Sequence, residues 1–416
     1  MINPFKPNSP VTHGMFVGRS EEMRKIESAL IQTKANQSVS FLLLGERGIG
    51  KTSLLLLVKY YAEGLILVRG QKLNYLVIEI DVAKETTSIA LIKKIEMALR
   101  RKLAKTEKAK TTFSEIWNFV KNIEAAGIKL NQNKNEHNEL IFEEFSYSIA
   151  DTLKRITKDD ATIFDSRYDG ILVLIDEADN SSDDLNLGTF VKTLMERLQK
   201  EGTEKLLFGI AGLPKLKDIL HKSHPSSLRL FTELNLDRLS NTEIKRVIQI
   251  VLAESKEING KETIIEQDAE NLLIEFSEGF PHFIQEYGYC SFEVSNGNTI
   301  THECVIKGAY GESGAIEAIG NRYYRDDYYN KIQGDNYRQV LNIMAESVGD
   351  WVSKKHIKSI YIGNPATLTN AINALLKRNI IIPKEGTKGV YRLKDKGFGL
   401  WIKMTWRKDE HDSESK

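Results

Sequence analysis

The chain has 416 residues, and its 58 Lys or Arg balance 57 Asp or Glu to a formal net charge of +1, so whole-chain charge points to no partner. At roughly 100–200 residues per domain this length predicts two or three domains, and 41% hydrophobic with 28% charged residues is an ordinary globular balance. Two cysteines, Cys290 and Cys304, without metal-ligand spacing, exclude a disulfide-stapled secreted scaffold and predict buried, reduced thiols.

The first residues, Met1 to Met15, carry Pro4, Pro7 and Pro10 and no apolar core of a signal peptide. The run Leu54 to Val58 is far too short to cross a bilayer of about 30 Å. The expectation is a soluble, cytoplasmic protein with no membrane partner.

In chain order, Ser20 predicts a helix N-cap, followed by Met23, Ile26 and Leu30 at helical spacing. Ser38 to Leu44 predicts a buried strand ending at a glycine, and Lys51 to Tyr61 a leucine-rich helix. Tyr75 to Val82 is a second buried strand and Ser88 to Leu103 a helix with Ile89, Leu91, Ile92, Ile95 and Leu99 apolar. Lys102 to Lys110 is a solvated helix end or loop. Phe113 to Ile128 is amphipathic, Leu130 to Asn138 an Asn- and Lys-rich loop, and Phe142 to Lys158 another helix. Together, about 102–169 forms an insertion or elaborated crossover. Gly170 to Ile175, Lys205 to Ala211 and Phe231 to Leu236 are further strands, with a helix at Thr189 to Gln199. Strands alternating with helices predict an α/β fold built on a parallel sheet covered on both faces. Beyond Ser240 the strand signals fade, and helices follow at Thr242 to Glu254, Ile265 to Gly279 and Phe283 to Asn296. Arg322 to Tyr329 reads as a linker or helix end.

The chemistry concentrates in Gly45-Glu46-Arg47-Gly48-Ile49-Gly50-Lys51-Thr52, which matches G-x-x-x-x-G-K-[ST] at every fixed position. Glycines let the backbone curl so that its N–H groups face phosphate oxygens. The following helix, from Lys51 through Ser53 onward, adds the positive end of its dipole. Lys51 reaches the β- and γ-phosphates, and the Thr52 hydroxyl is a hard oxygen suited to Mg²⁺. The apolar strand before the motif and the leucine-rich helix after it supply the context a phosphate loop needs. ATP and Mg²⁺ are the expected cofactors.

Downstream, Ile171 to Ile175 is an apolar strand ending in Asp176-Glu177. Asp176 is the expected Mg²⁺ partner and Glu177 the general base for the attacking water. The strand at Tyr75 to Val82 falls between the two motifs in sequence, which predicts that the carboxylate strand neighbours the phosphate-loop strand.

Phe16-Val17-Gly18-Arg19, followed by acidic residues and a helix, resembles the adenine-side element of AAA+ and related ATPases. The resemblance is to the branch that holds origin-recognition initiators, archaeal-type ATPases and STAND switch ATPases. It implies that Val17 and Gly18 lie against adenine, and that Gly279-Phe280-Pro281-His282 is the G-x-P element of a helical lid. It implies a functional arginine near Arg229, supplied in trans across a homo-oligomer formed on ATP binding, with Arg197 as the other candidate. Two positions depart from the AAA+ pattern. The fourth strand ends in Ala211-Gly212-Leu213-Pro214 instead of a polar sensor, and no sensor arginine stands beside Pro281. Both departures point toward slow hydrolysis or a conformational switch.

Residues 335–404 read as three helices and a hairpin, with Pro365 at the first position of the third helix and the turn Lys384 to Lys388 joining two short strands. This is a winged helix-turn-helix pattern, and it is similar to the C-terminal domain of the same ATPase branch. From Lys331 to Lys408 there are fifteen Lys or Arg against five Asp or Glu. The DNA-binding reading puts Thr367, Thr369, Asn370 and Asn373 toward bases and Lys377, Arg378, Lys384, Lys388 and Arg392 near phosphates. The other reading makes the same module a protein-docking or autoinhibitory element, so double-stranded DNA and a partner effector protein both stand as expected partners.

The expected organisation is a P-loop core at 1–238, a helical lid at 239–330, the winged helix at 331–408 and a disordered tail at 409–416. The expected function is an ATP-hydrolysing AAA+-like ATPase coupling nucleotide state to assembly and DNA binding, with service to a mobile element or phage defence left open. The alternative is a STAND-like signalling switch.

Overall fold

The computed structural model describes residues 1–9, 16–120, 134–158, 163–164, 166–332 and 334–414. The chain forms two compact units, one of Gly18–Asp237 and one of Met1–Val17 with Arg238–Lys416.

The first unit is built on five parallel strands: β1 (Ser40–Gly45), β2 (Tyr75–Asp81), β3 (Gly170–Asp176), β4 (Leu206–Gly212) and β5 (Phe231–Leu236), in the spatial order β2-β3-β4-β1-β5. Every residue of β1 and β4 is buried, as expected of parallel strands covered on both faces. Helices α1 (Ser20–Lys34), α2 (Lys51–Ala62), α3 (Ser88–Leu103), α4 (Glu107–Ile116), α5 (Lys134–Ile156), α6 (Leu187–Lys200) and α7 (Leu216–Ser223) belong to this unit. Ser20 is the first residue of α1; Arg19 precedes it with φ 65° and donates a side-chain hydrogen bond to the Asp237 carbonyl.

One expectation about the sheet is corrected. The carboxylate strand β3 does not neighbour the phosphate-loop strand β1, because β4 lies between them. Gly209 makes that insertion fit. A Cβ there would meet the Phe41 ring at 2.3 Å and Leu174 at 2.8 Å, so only glycine lets both side chains close over β4. β2, in turn, forms the edge of the sheet.

The described residues of 102–169 pack their apolar side chains into the core. Phe113, Trp117, Phe145, Ile149 and Leu153 are buried in one cluster with Ile78, Ile80 and Val173 of the sheet. The buried Trp117 indole donates to Thr152 Oγ1 at 3.1 Å, which satisfies its one polar group. Helix α5 begins at Lys134, so the part of the expected loop at 134–138 is helical in its backbone. The stretch 121–128 of the expected amphipathic segment, and 130–133 of that loop, lie outside the described residues.

The second unit holds α8 (Asn241–Asn259), α9 (Gln267–Ser277), α10 (Pro281–Ser295), α11 (His302–Tyr310) and α12 (Ala315–Tyr323), with a two-stranded parallel ribbon of β6 (Ile264–Ile265) and β7 (Thr299–Ile300). A capping box starts α8: Ser240 Oγ accepts from the Glu243 amide, and Glu243 Oε2 accepts from the Ser240 amide at 2.8 Å. Then follow α13 (Asp335–Ala345), β8 (Val352–Ser353), α14 (Lys354–Ile360), α15 (Pro365–Lys377), β9 (Ile381–Pro383), β10 (Val390–Leu393) and α16 (Lys396–Glu414). β8, β10 and β9 form an antiparallel sheet in that order. The Arg322 to Tyr329 stretch is no linker. It closes α12 and enters a π-helical turn at Asp327–Lys331, in which Tyr328 is buried. The expected disordered tail is helical in its backbone as far as Glu414. Cys290 and Cys304 are free and half-buried rather than buried. Burial still raises the Cys290 thiol to about 11, which keeps it protonated and inert.

Candidate nucleotide site

Parallel strands deliver their loops to one edge of a sheet, and the candidate site lies along the carboxyl edge. The P-loop leaves β1 at Gly45 and enters α2 at Lys51. Gly48 has φ 78° and Gly50 φ 100°, values a side chain would strain, so both glycines are required by the curl of the loop. Gly45 is held by space: a Cβ there would meet Ile49 at 2.7 Å. The buried Ile49 side chain in turn anchors the loop to the core.

The Lys51 ammonium donates to the carbonyls of Gly45 and Glu46, each at 2.9 Å. Burial lowers its pKa, and Arg47 adds to that, while Asp176, Asp179 and Glu177 oppose it. A partly desolvated cation surrounded by carbonyl oxygens is a ready partner for an anion. Glu46 and Ser53 flank it half-buried, and Arg47 and Thr52 are exposed.

Thr52 Oγ1 donates to Asp176 Oδ2 at 2.5 Å, so the α2 hydroxyl and the β3 carboxylate converge. The other oxygen, Asp176 Oδ1, accepts from the Glu177 amide at 2.8 Å. Glu177 has φ 49°, a sparsely populated conformation for a residue with a side chain, and Asn180 Nδ2 donates to its carboxylate at 3.3 Å.

The sequence shows no polar group at the end of β4, and the structure shows what fills the gap. Gly212 pairs with Leu44 of β1, and β3 runs on the other side of β4. The buried Asp179 carboxylate lies 3.0 Å from where a Cβ on Gly212 would stand. Its Oδ1 accepts from the Leu213 amide at 3.0 Å, and its Oδ2 pairs with Lys215 Nζ at 3.2 Å. Asp179 and Lys215 were not singled out from sequence. The only signal was a third acid two residues beyond Glu177.

The remaining expected residues are placed as follows. Gly18, with φ 73°, opens the first unit, while Val17 and Pro281 belong to the second, Pro281 at the first position of α10. Arg229 is exposed in a short 3₁₀ turn at Ser227–Leu230, just before β5. The β1–β5 register pairs Ser40 with Phe231 and Gly45 with Leu236, so Arg229 sits at the amino edge of the sheet, opposite its own P-loop. Six residues of strand at about 3.3 Å each separate them. Arg197 is paired with Glu143 of α5.

In the second unit, α15 carries Thr367, Thr369, Asn370, Asn373 and Lys377, and Arg378 is its C-cap. Lys384 and Lys388 are exposed between β9 and β10. Lys384 lies 5.8 Å and Arg392 4.7 Å from the Trp351 ring centre, a cation–π contact missed in the sequence because Trp351 is distant in the chain.

No family model matches the sequence, and no curated protein is similar to it. Solved structures are. The Aeropyrum pernix ORC2 protein, described in ADPNP–ADP complexes, superposes with a TM-score of 0.57 at 12% identity, covering 98% of both chains. The ADP form of the same protein gives 0.49 at 12% identity over 97% of each chain. The Aeropyrum pernix ORC1 protein in complex with DNA gives 0.43 at 16% identity, over 99% of this chain and 97% of that one. Among the described residues no helix is long and apolar enough to cross a membrane. Over nearly its whole length the chain has the fold of the Aeropyrum pernix ORC2 protein, with a P-loop leading from a five-stranded parallel sheet.

Proposed function

We propose that the protein is an ATP-binding and ATP-hydrolysing AAA+ ATPase that couples its nucleotide state to subunit assembly and to DNA binding. The observation that carries this reading is the convergence of Lys51, Thr52, Asp176 and Glu177 at the carboxyl edge of one sheet. Lys51 binds β- and γ-phosphate oxygens after exchanging the carbonyls of Gly45 and Glu46. The amides of residues 46–53 cradle the phosphates, and Glu177 accepts a proton from the attacking water. Gly18, which opens the unit that carries the P-loop, is the adenine-side residue by likeness to the AAA+ pattern.

The donor set fits Mg²⁺. Among the described residues no three His, Cys, Asp or Glu groups could hold a metal ion by themselves. The hydroxyl of Thr52 and the carboxylate of Asp176 are two hard oxygens, and Mg²⁺ commonly takes only one or two protein ligands and fills its shell with water and phosphate. When bound, the ion neutralises phosphate charge.

In this reading 239–330 is a helical lid and 331–408 a winged helix, supported by the order α13, β8, α14, α15, β9, β10 and by the antiparallel three-stranded sheet. Its basic excess supports duplex DNA as the partner. A second reading, a STAND-like switch whose winged helix docks a protein or holds the molecule inactive, draws on Gly212. With no polar side chain at the end of β4, slow turnover and long-lived bound nucleotide follow.

Size measurement of the protein with ATP, with ADP and without nucleotide, each with and without duplex DNA, tests the proposal. Assembly with ATP and a nucleotide-dependent complex with DNA are expected. A monomer in every condition that never binds DNA favours the switch.

A further inference from the structure

Resting on the DNA reading above, the structure narrows which bases are read. Helix α15 buries Leu368, Ala371, Ile372 and Leu375. Its opposite stripe, Ala366, Asn370, Asn373 and Lys377, is exposed. The spacing of four, three and four residues sets these side chains on one face of the helix.

Their polar neighbours are already engaged. Thr367 Oγ1 donates to the Asn364 carbonyl at 2.7 Å and lies 3.0 Å from the Tyr361 hydroxyl. Thr369 Oγ1 donates to the Pro365 carbonyl at 2.9 Å and accepts from Lys354 Nζ at 3.0 Å. Arg378 donates to the Lys331 carbonyl at 2.8 Å. No hydrogen bond among the described residues occupies the amides of Asn370 or Asn373.

The chemistry of this stripe is selective. A carboxamide offers a donor and an acceptor side by side, matching N7 and N6 of adenine in the major groove, whereas guanine is best met by Arg or Lys. An alanine methyl suits the thymine methyl. The only cation on the stripe, Lys377, stands at the C-terminal end, the end that such helices turn toward the backbone. Lys355 and Lys358 on α14 and Lys388 near β10 are exposed and complete a cationic frame.

We infer that the exposed face of α15 reads A·T base pairs in the major groove of duplex DNA, with Asn370 and Asn373 on adenine edges and Ala366 against a thymine methyl. Lys355, Lys358, Lys377 and Lys388 hold phosphates and set affinity without selectivity.

The test is competition between A·T-rich and G·C-rich duplexes of equal length for the full chain with ATP, in low salt. The A·T duplex is expected to bind at least about tenfold tighter. Changing Asn370→Ala and Asn373→Ala together should erase the preference while leaving the weaker G·C binding in place, with an unchanged melting temperature showing that the fold survives. Lys355→Ala with Lys358→Ala should weaken both duplexes alike and flatten the salt dependence. Equal affinity for the two duplexes, or a preference that survives the double asparagine change, overturns the base reading alone. Binding to neither duplex overturns the DNA reading with it and leaves this face to a protein partner.

Discussion

The Thr52 hydroxyl donates to the Asp176 carboxylate at 2.5 Å and so links the first turn of α2 to the end of β3, with β4 between the two strands. Thr52 is exposed and Asp176 half-buried. The pair is therefore free to exchange this bond for a shared cation. Asp176→Asn should remove the increment that Mg²⁺ adds to ATP affinity and leave the affinity measured in EDTA nearly unchanged. Calorimetric titration with and without Mg²⁺ checks this, and a surviving increment would exclude Asp176 as the metal partner. Glu177→Gln should keep binding and lower turnover by about 10²–10⁴-fold, the usual worth of a positioned base.

Gly212 leads to a different kind of prediction. Restoring the polar sensor by Gly212→Asn looks like an improvement on paper. A Cβ at 212, however, would stand 2.7 Å from Leu216 Cδ2 and 3.0 Å from Asp179 Oδ1. Leu216 is fully buried, so it has little room to withdraw. The variant should lose about 1–3 kcal/mol of stability, as overpacked cores do, without faster hydrolysis. Denaturant unfolding and phosphate release measure the two effects. A variant both stable and faster would show that Leu216 and Asp179 leave room for a side chain at 212.

Much of this edge was legible beforehand because phosphate geometry dictates local spacing. Gly45 to Thr52 needs only a strand, a glycine turn and a helix in succession, and Ile171 to Glu177 needs only one buried strand. The order of the strands was not legible. Local patterns make β1 and β3 buried but carry no term for the strand inserted between them, and Gly209 matters only once Phe41 and Leu174 close over it. The Asp179–Lys215 pair was hidden for the same reason: its partners sit on loops from different strands. On α15 the pattern found the helix and its buried face. It could not show that the Thr367 and Thr369 hydroxyls turn back onto their own backbone, a local bond that competes with any ligand.

The two arginine candidates now separate. Arg197 is paired with Glu143, and both side chains are about a third exposed. Arg197→Ala should therefore lower stability by about 1 kcal/mol or less and leave turnover intact. Arg229 is exposed at the sheet edge opposite its own P-loop, so any catalytic role must be in trans. Arg229→Ala should cut turnover by about 10³-fold or more while ATP still binds. Mixing Arg229→Ala with Lys51→Ala subunits should restore part of the rate, since the Lys51→Ala subunit can lend its Arg229 to the intact P-loop of the Arg229→Ala subunit. No recovery at any ratio, with assembly intact, would rule the residue out.

The second unit makes a pH prediction through His282. Its Nε2 lies 2.5 Å from Arg322 Nη1, and a guanidinium can only donate, so this nitrogen must be an acceptor and the ring neutral. Burial, then the charge of Arg322, push the His282 pKa down from 6.5 to about 4. Between those values the unfolded chain holds a proton that the folded unit refuses. The stabilisation is thus complete above pH 6.5 and is lost as pH falls toward 4, by up to about 3 kcal/mol. Glu286, 3.8 Å from the ring, works the other way: burial raises its pKa, so its contribution rises as it takes a proton in acid. His282→Gln keeps an acceptor for Arg322 and removes the titration. Urea midpoints followed from pH 7.5 to 4.5 should fall more steeply for the native protein than for this variant. Parallel curves would mean that the ring accepts its proton in the folded unit, against the short contact with Arg322.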